Sequence, residues 1–256
     1  MTLIIDQFPC LSDNFGVLIH DTDSGLTAAI DAPEFDAVKH KLAERGWKLD
    51  QILVTHHHAD HVDGILPLKQ AYGCTVIGPA GEADRIPGID RPVKEGDVLK
   101  FGAYDVAVLE TPGHTLGHIS YYIPAAKVAF VADTLFALGC GRVIEGTMPM
   151  MWNSLEKLLA LPDDTVIYCG HEYTQANARF ALTIEPANGE LIIRAREVDA
   201  LRAAQKPTLP TTIGLEKRTN PFLRVDEPAV RDLLGMPGAS AAEVFGEIRT
   251  RKDNFR

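Results

Sequence analysis

Short apolar runs alternating with turns occupy the first two-thirds of the chain. Val17 to Ile19, Thr27 to Ile30, Ile52 to Val54, Thr75 to Ile77, Val106 to Leu109, Ile119 to Ile123, Val128 to Val131 and Val166 to Tyr168 are rich in β-branched or aromatic side chains, and most meet a Gly, Pro or Asp within two residues, as buried strands do. Between them, Phe35 to Arg45 and Val62 to Ala71 repeat apolar positions at helical spacing, with Gly46 and Gly73 placed as C-terminal stops. After His171 the texture changes. Strand-like runs nearly vanish, and helical windows appear at Tyr173 to Leu182, Glu190 to Ala204, Pro228 to Leu234 and Ala241 to Arg249. The pattern predicts an α+β chain: sheets covered by helices over residues 1–172, then a small α-helical domain over 173–256. No internal repeat or low-complexity segment interrupts it.

Composition narrows the picture. At 256 residues and 46% hydrophobic content the chain can bury a substantial core. No apolar run approaches the roughly 18–20 residues that span a bilayer, and MTLIIDQFPC lacks the basic segment of a signal peptide, so a cytoplasmic site without membrane attachment is expected. Cys10, Cys74, Cys140 and Cys169 are widely spaced with no CxxC, which predicts small buried thiols rather than a disulfide framework or a cysteine-ligated metal. The net charge of −10 excludes a broad polyanion contact, so no nucleic-acid partner is expected. No pattern encodes an oligomer, and a monomer is the default.

The chemistry is concentrated in Thr55-His56-His57-His58-Ala59-Asp60-His61, directly after an apolar strand. Imidazole and carboxylate are the ligands that borderline divalent metals prefer. His56 and His58 are two apart and share a face where the backbone is extended, while Asp60 and His61 lie on the following turn and point elsewhere, so one peptide can serve two adjacent ions. Matching ligands recur at strand ends: His114 in Thr-Pro-Gly-His-Thr, Asp133 after Val128 to Ala132, and His171 after Val166 to Gly170. A single strand-end His or Asp is ordinarily structural. Together these supply the count that two metals require, at one rim of a sheet sandwich.

In this order THHHADH, TPGHT, Val-Ala-Asp133 and Gly-His171-Glu-Tyr173 resemble the metallo-β-lactamase superfamily over about residues 10 to 173. The resemblance implies a four-layer αββα sandwich with metals at one edge of the two sheets. By motif position it implies His56, His58 and His114 on a first ion, Asp60, His61 and His171 on a second, and Asp133 bridging them. His57 falls on the variable position of the motif and is expected to be no ligand; His118 is expected to hydrogen-bond behind the ligands or in the core.

The last third extends the resemblance. Asn220-Pro221-Phe222-Leu223-Arg224, the terminal RTRKDNF, and Cys140-Gly141-Arg142 with Glu145-Gly146-Thr147 resemble hydroxyacylglutathione hydrolases (glyoxalase II). The resemblance implies hydrolysis of S-D-lactoylglutathione to glutathione and D-lactate by a hydroxide held between two divalent ions, in methylglyoxal detoxification. Asp60 and Asp133 are then the catalytic carboxylates, and Arg142, Tyr173, Arg249 and Lys252 the groups that hold the glutathione moiety. Zinc is the expected metal, with iron and manganese compatible. Ile144 stands where the family commonly has an aromatic residue. Other readings of the same fold are a persulfide dioxygenase, which would spare the second-site ligands, a lactonase or other thioesterase, an RNA-processing nuclease, which would need a basic surface, and a non-catalytic metal-binding protein, which would often lose a ligand. None of the seven ligands is missing, and the long C-terminal segment favours the glutathione thioesterase.

Overall fold

A computed structural model describes residues 2–255 and confirms an α+β chain of mixed sheets and helices. It divides into two compact units: one runs to Glu110 and includes Leu116–Val131, and the other comprises Thr111–Thr115 and everything from Ala132 onward.

In the first unit, β1 (Leu3–Cys10), β2 (Asn14–Asp21), β3 (Thr27–Ile30), β4 (Gln51–Leu53), β5 (Thr75–Pro79) and β6 (Arg91–Val93) form one sheet in that spatial order. β1 to β3 are antiparallel and β3 to β6 parallel. β3, paired on both edges between β2 and β4, is an unbroken buried run. β7 (Val98–Phe101), β8 (Tyr104–Glu110), β9 (Ile119–Ile123) and β10 (Val128–Ala132) form an antiparallel meander. Helices α1 (Phe35–Arg45), α2 (Ala59–Val62) and α3 (Ile65–Tyr72) complete the unit, and Leu18, Val38, Leu42, Ile52, Val54, Ile65, Leu68 and Val76 pack into one core. Fully burying each such side chain stabilises the fold by about 1.5–3 kcal/mol.

The helix predicted over 62–71 is interrupted. α2 ends and α3 begins around Gly64, whose N–H donates to the carbonyl of Ala32 at 2.9 Å. A Cβ at Gly64 would lie 2.9 Å from that oxygen, so the close approach of two backbones forces the break. Both glycine stops are present, with Gly46 and Gly73 left-handed at the ends of α1 and α3.

The second unit contains the hairpin β11 (Leu135–Phe136) and β12 (Gly139–Cys140), α4 (Met148–Leu159), β13 (Val166–Cys169), α5 (Thr174–Ile184), α6 (Gly189–Ala203), β14 (Thr211–Thr212), α7 (Ile213–Thr219), α8 (Pro228–Leu234) and α9 (Ala241–Asp253). α4 is absent from the predicted helical windows although its buried Met151, Trp152, Leu155 and Leu158 recur at helical spacing. What starts it is the Thr147 hydroxyl, which accepts from the N–H of Met150. α9 continues past Arg249 to Asp253: a capping box of Ser240 and Glu243 opens it, and an Arg249 to Asp253 ion pair one turn apart supports its end.

Gly64→Ala is expected to lower the free energy of unfolding by about 1–3 kcal/mol through overpacking. Urea titration measures it, and a midpoint equal to the parent's would mean that the 32–34 loop yields freely.

Candidate metal centre

Three histidines are locked in one tautomer by acceptors behind their rings. Asp31 follows β3 in a left-handed conformation, φ 57°. One of its oxygens accepts from the N–H of Thr55 at 2.7 Å; the other accepts from Thr55 Oγ1 and from His61 Nδ1, both at 2.8 Å. A carboxylate only accepts, so the Thr55 hydroxyl spends its hydrogen on Asp31. Thr55 Oγ1 must then accept at its 3.0 Å contact with His56 Nδ1. Both Nδ1 atoms therefore carry hydrogen, and Nε2 keeps the lone pair that a metal requires. Asp31, His56 and His61 form a buried set whose ligand atoms lie within 4.8 Å of one another, and its geometry makes Asp31 the holder of the two imidazoles.

Around this pair the THHHADH loop sorts its other members. His58 precedes α2 and packs edge-on against His56, ring centroids 4.8 Å apart. Asp60, with its side chain 41% exposed, is oriented by Asn14 Nδ2, which donates to its Oδ2 at 3.0 Å and its carbonyl at 3.1 Å. Asp60 Oδ2 stands 3.7 Å from His61 Nε2. His57 turns away: its N–H and Nδ1 both meet one oxygen of buried Glu82, at 2.8 and 2.7 Å, while the other oxygen accepts from the Gly117 N–H. His118 is fully buried and stacks on His56 at 4.8 Å.

In the second unit, His114, Asp133 and His171 converge. His114 Nδ1 donates to the Arg142 carbonyl at 2.8 Å, again leaving Nε2 as the ligand atom. Asp133 Oδ2 lies 3.4 Å from His114 Nε2 and 3.3 Å from His171 Nε2. Two ligands bound at about 2.0–2.1 Å at the tetrahedral angle stand about 3.3 Å apart, so this one oxygen has ligand spacing to two imidazoles. Its backbone is pinned. The N–H of Gly170 donates to the Ala132 carbonyl, and a Cβ on Gly141 would fall 1.8 Å from the Asp133 carbonyl oxygen, which leaves glycine alone able to pass there. The His171 ring lies flat on Tyr173, centroids 4.7 Å apart, with Phe136 edge-on to both.

A cleft of about 170 Å³ opens beside these rings, lined by Phe136, Cys140, Arg142, Tyr173, Arg249 and Lys252 among others. Each predicted substrate-holding side chain is on its wall. They are not alike. Arg142 is largely exposed, whereas Arg249 is 5% exposed and donates to the Cys140 carbonyl at 3.0 Å and to Asp253 at 2.9 Å. Lys252 lies over the rings of Phe180 and Phe255, and Phe255 packs edge-on against Phe180. Burial, then the neighbouring Arg249 and Arg179, lower the Lys252 ammonium to about 8. Burial pushes the Cys140 thiol up to about 11 in spite of Arg249, and Cys10 up to about 12, so neither thiol is a ready nucleophile. All four cysteines are free and buried, as their spacing predicted. Ile144 is 56% exposed.

Asp31, Asn14 and Glu82 were not foreseen. Asp31 had a readable signal, since it ends the apolar run Thr27 to Ile30 as Asp133 ends Val128 to Ala132. The other two act across sequence separations of 46 and 25 residues and leave no local trace.

These donor sets, carboxylates plus imidazoles of which His56, His61 and His114 already have Nδ1 bonded, fit borderline divalent cations, and the His/Asp clusters are compatible with two ions. Comparison with known proteins agrees. Residues 20–171 match the model of the metallo-beta-lactamase superfamily, and residues 172–255 match that of the hydroxyacylglutathione hydrolase C-terminus. The chain is 56% identical over 255 residues to the hydroxyacylglutathione hydrolase of Chelativorans sp. (strain BNC1), covering 100% of both, and 59% identical over 253 residues to that of Brucella ovis, covering 99% and 98%. The crystal structure of BLEG-1, a B3 metallo-beta-lactamase, superposes with a TM-score of 0.66 at 22% identity, covering 86% of this chain and 100% of that one, which speaks to the fold. A metallo-β-lactamase fold continued by this particular helical segment, in relatives matched from end to end, means that the chain belongs to the hydroxyacylglutathione hydrolase family.

Proposed function

We propose that this protein hydrolyses the thioester of S-(2-hydroxyacyl)glutathiones, with S-D-lactoylglutathione as the substrate and glutathione and D-lactate as products, the hydrolytic step of methylglyoxal detoxification. The observation that carries the reading is a cleft lined by Arg142, Arg249 and Lys252 directly beside the stacked His171 and Tyr173 rings. The proposal assigns His56, His58 and His114 to one divalent ion, Asp60, His61 and His171 to a second, and Asp133 to both. It takes zinc as the metal, the cytoplasm as the location, a monomer as the active form, and residues 173–256 as the glutathione-binding domain following a catalytic domain over 1–172.

Bound divalent cations supply Lewis acidity, bringing water to ionise near neutral pH and polarising a carbonyl. The chain's own residues do the rest. Asn14 fixes the Asp60 carboxylate, which orients the attacking water. Asp133, held by its pinned backbone, presents one oxygen to two imidazoles at once. The leaving thiol has a pKa of about 8.5–9 and departs as thiolate without a dedicated acid. Arg142 and Lys252 pair with the two glutathione carboxylates, which suits both geometry and encounter. Among the described residues no helix is long and apolar enough to cross a membrane, in keeping with a small-molecule substrate met in solution.

The decisive measurement is steady-state hydrolysis of S-D-lactoylglutathione beside a lactoyl thioester of a small thiol, on protein whose metals have been counted. A large preference for the glutathione ester at two metals per chain is expected; equal rates, or turnover with one ion, would overturn the reading. Asp133→Ala is expected to lower kcat by orders of magnitude together with metal content, checked by elemental analysis. KM for the glutathione thioester is expected to rise as pH passes upward through about 8, because the depressed Lys252 ammonium loses its proton there. Lys252→Ala is expected to raise KM roughly tenfold at pH 7 by loss of a charge-assisted bond. It also flattens that rise, leaving only the substrate's own titration; parallel profiles for variant and parent would remove Lys252 from the cleft chemistry.

A further inference from the structure

Between Asp133 and Arg142 the chain turns through the small hairpin of β11 and β12, and that hairpin is built under constraint. Leu138, at its tip, is a non-glycine residue at φ 58°, in the left-handed region that costs a branched side chain energy. Its own side chain is fully buried with Ala178, Ala181 and Leu191. What keeps it there comes from α7, nearly eighty residues later. Glu216, wholly buried, accepts from the Leu138 N–H at 2.7 Å through Oε2 and from Thr211 Oγ1 at 2.6 Å through Oε1. Asn220 Nδ2 donates to the carbonyls of Phe136 at 3.2 Å and Gly139 at 2.9 Å, and to Glu216 Oε2 at 3.0 Å. From α5, Asn177 Nδ2 donates to the Ala137 carbonyl at 3.1 Å. Four consecutive residues of the hairpin, Phe136 to Gly139, are thereby held from outside it.

The residues flanking this clamp are walls of the cleft. Phe136 stands edge-on to Tyr173, centroids 5.3 Å apart, and the Cys140 carbonyl is the acceptor that seats Arg249. We propose that Glu216, with Asn220, is a positioning residue for the thiol-tripeptide subsite: by clamping the 135–140 hairpin it sets the Phe136 wall and the Arg249 seat. Neither side chain lines the cleft itself. The inference rests on the glutathione reading above and extends it to residues that no ligand-contact pattern singles out. Burial pushes the Glu216 carboxyl up, against the pull of Thr211, Leu138 and Asn220. A neutral isostere is therefore tolerable: in Glu216→Gln the amide oxygen can take the place of Oε2 and the amide nitrogen can donate to Thr211. Glu216→Ala instead leaves the Leu138 N–H buried and unbonded.

The test uses the full chain with its metals loaded. Glutathione binding is measured by calorimetry, and kinetics are recorded on S-D-lactoylglutathione and on the lactoyl thioester of a small thiol, for the parent, Glu216→Ala, Glu216→Asp and Glu216→Gln. Glu216→Ala is expected to weaken glutathione binding and raise KM for the glutathione thioester about tenfold, while turnover of the small thioester is unchanged. Glu216→Gln is expected to behave as the parent does. Should Glu216→Ala fail to fold, Glu216→Asp, which withdraws the carboxylate by one methylene, carries the same expectation at smaller size. Glutathione affinity in the Ala and Asp variants equal to the parent's would overturn the proposal, as would an equal loss on both thioesters, which marks a purely structural role. A parent protein that binds no glutathione would instead bring down the functional reading first, a failure visible before any substitution is made.

Discussion

A neutral imidazole offers a metal one nitrogen, and the partner of its other nitrogen decides which. The first unit depends on how Asp31 makes that choice. As an acceptor-only group it forces the direction of every bond it touches: His61 donates, the Thr55 hydroxyl donates, and Thr55 is left only able to accept from His56. One carboxylate thus dictates two tautomers, and the Arg142 carbonyl imposes the same state on His114. Without these acceptors the same histidines would sample both tautomers and rotate, and metal affinity would fall with each uncommitted ring.

Such an arrangement has a cost that local structure reveals. Asp31, the Ala132 that precedes Asp133, and Leu138 all sit at positive φ without being glycine. Strain of this kind, on the order of 1–3 kcal/mol per residue, persists only where surroundings over-determine it. Here they do. Asp31 is tied by three hydrogen bonds, Ala132 by the Gly170 N–H, and Leu138 by Glu216. Buried carboxylates serve as the fasteners throughout, at Asp31, Glu82 and Glu216, and each is met by several donors rather than by a lone cation.

The cleft inverts the electrostatics of the chain. A protein of net charge −10 would repel a tripeptide bearing two carboxylates, yet Arg142, Arg249 and Lys252 line one cavity in the second unit. Clustered cations create a local field that overrides the molecule's average charge at distances below the Debye length, about 8 Å at physiological salt. The rings of Phe180 and Phe222 under Lys252 and Arg249 help to hold those cations in place where burial alone would disfavour them.

Alternation of apolar strands, glycine stops and a ligand-rich loop are local properties, set by side-chain period and backbone preference, so the α+β character, the ends of α1 and α3 and the candidate ligands were legible in the amino-acid order alone. Residues that act at long range were not. That Glu82 holds His57, that Asn14 aims Asp60, and that Glu216 reaches the tip of a hairpin some eighty positions earlier are decided by which strands and helices become neighbours. The break at Gly64 and the requirement for glycine at Gly141 belong to the same class, since each arises from a backbone passing within van der Waals contact of another. The sequence by itself determined which side chains are chemically able to bind metal and anion; packing alone decided their tautomers, their orientation and their spacing, because those depend on partners that the chain meets only once it has folded.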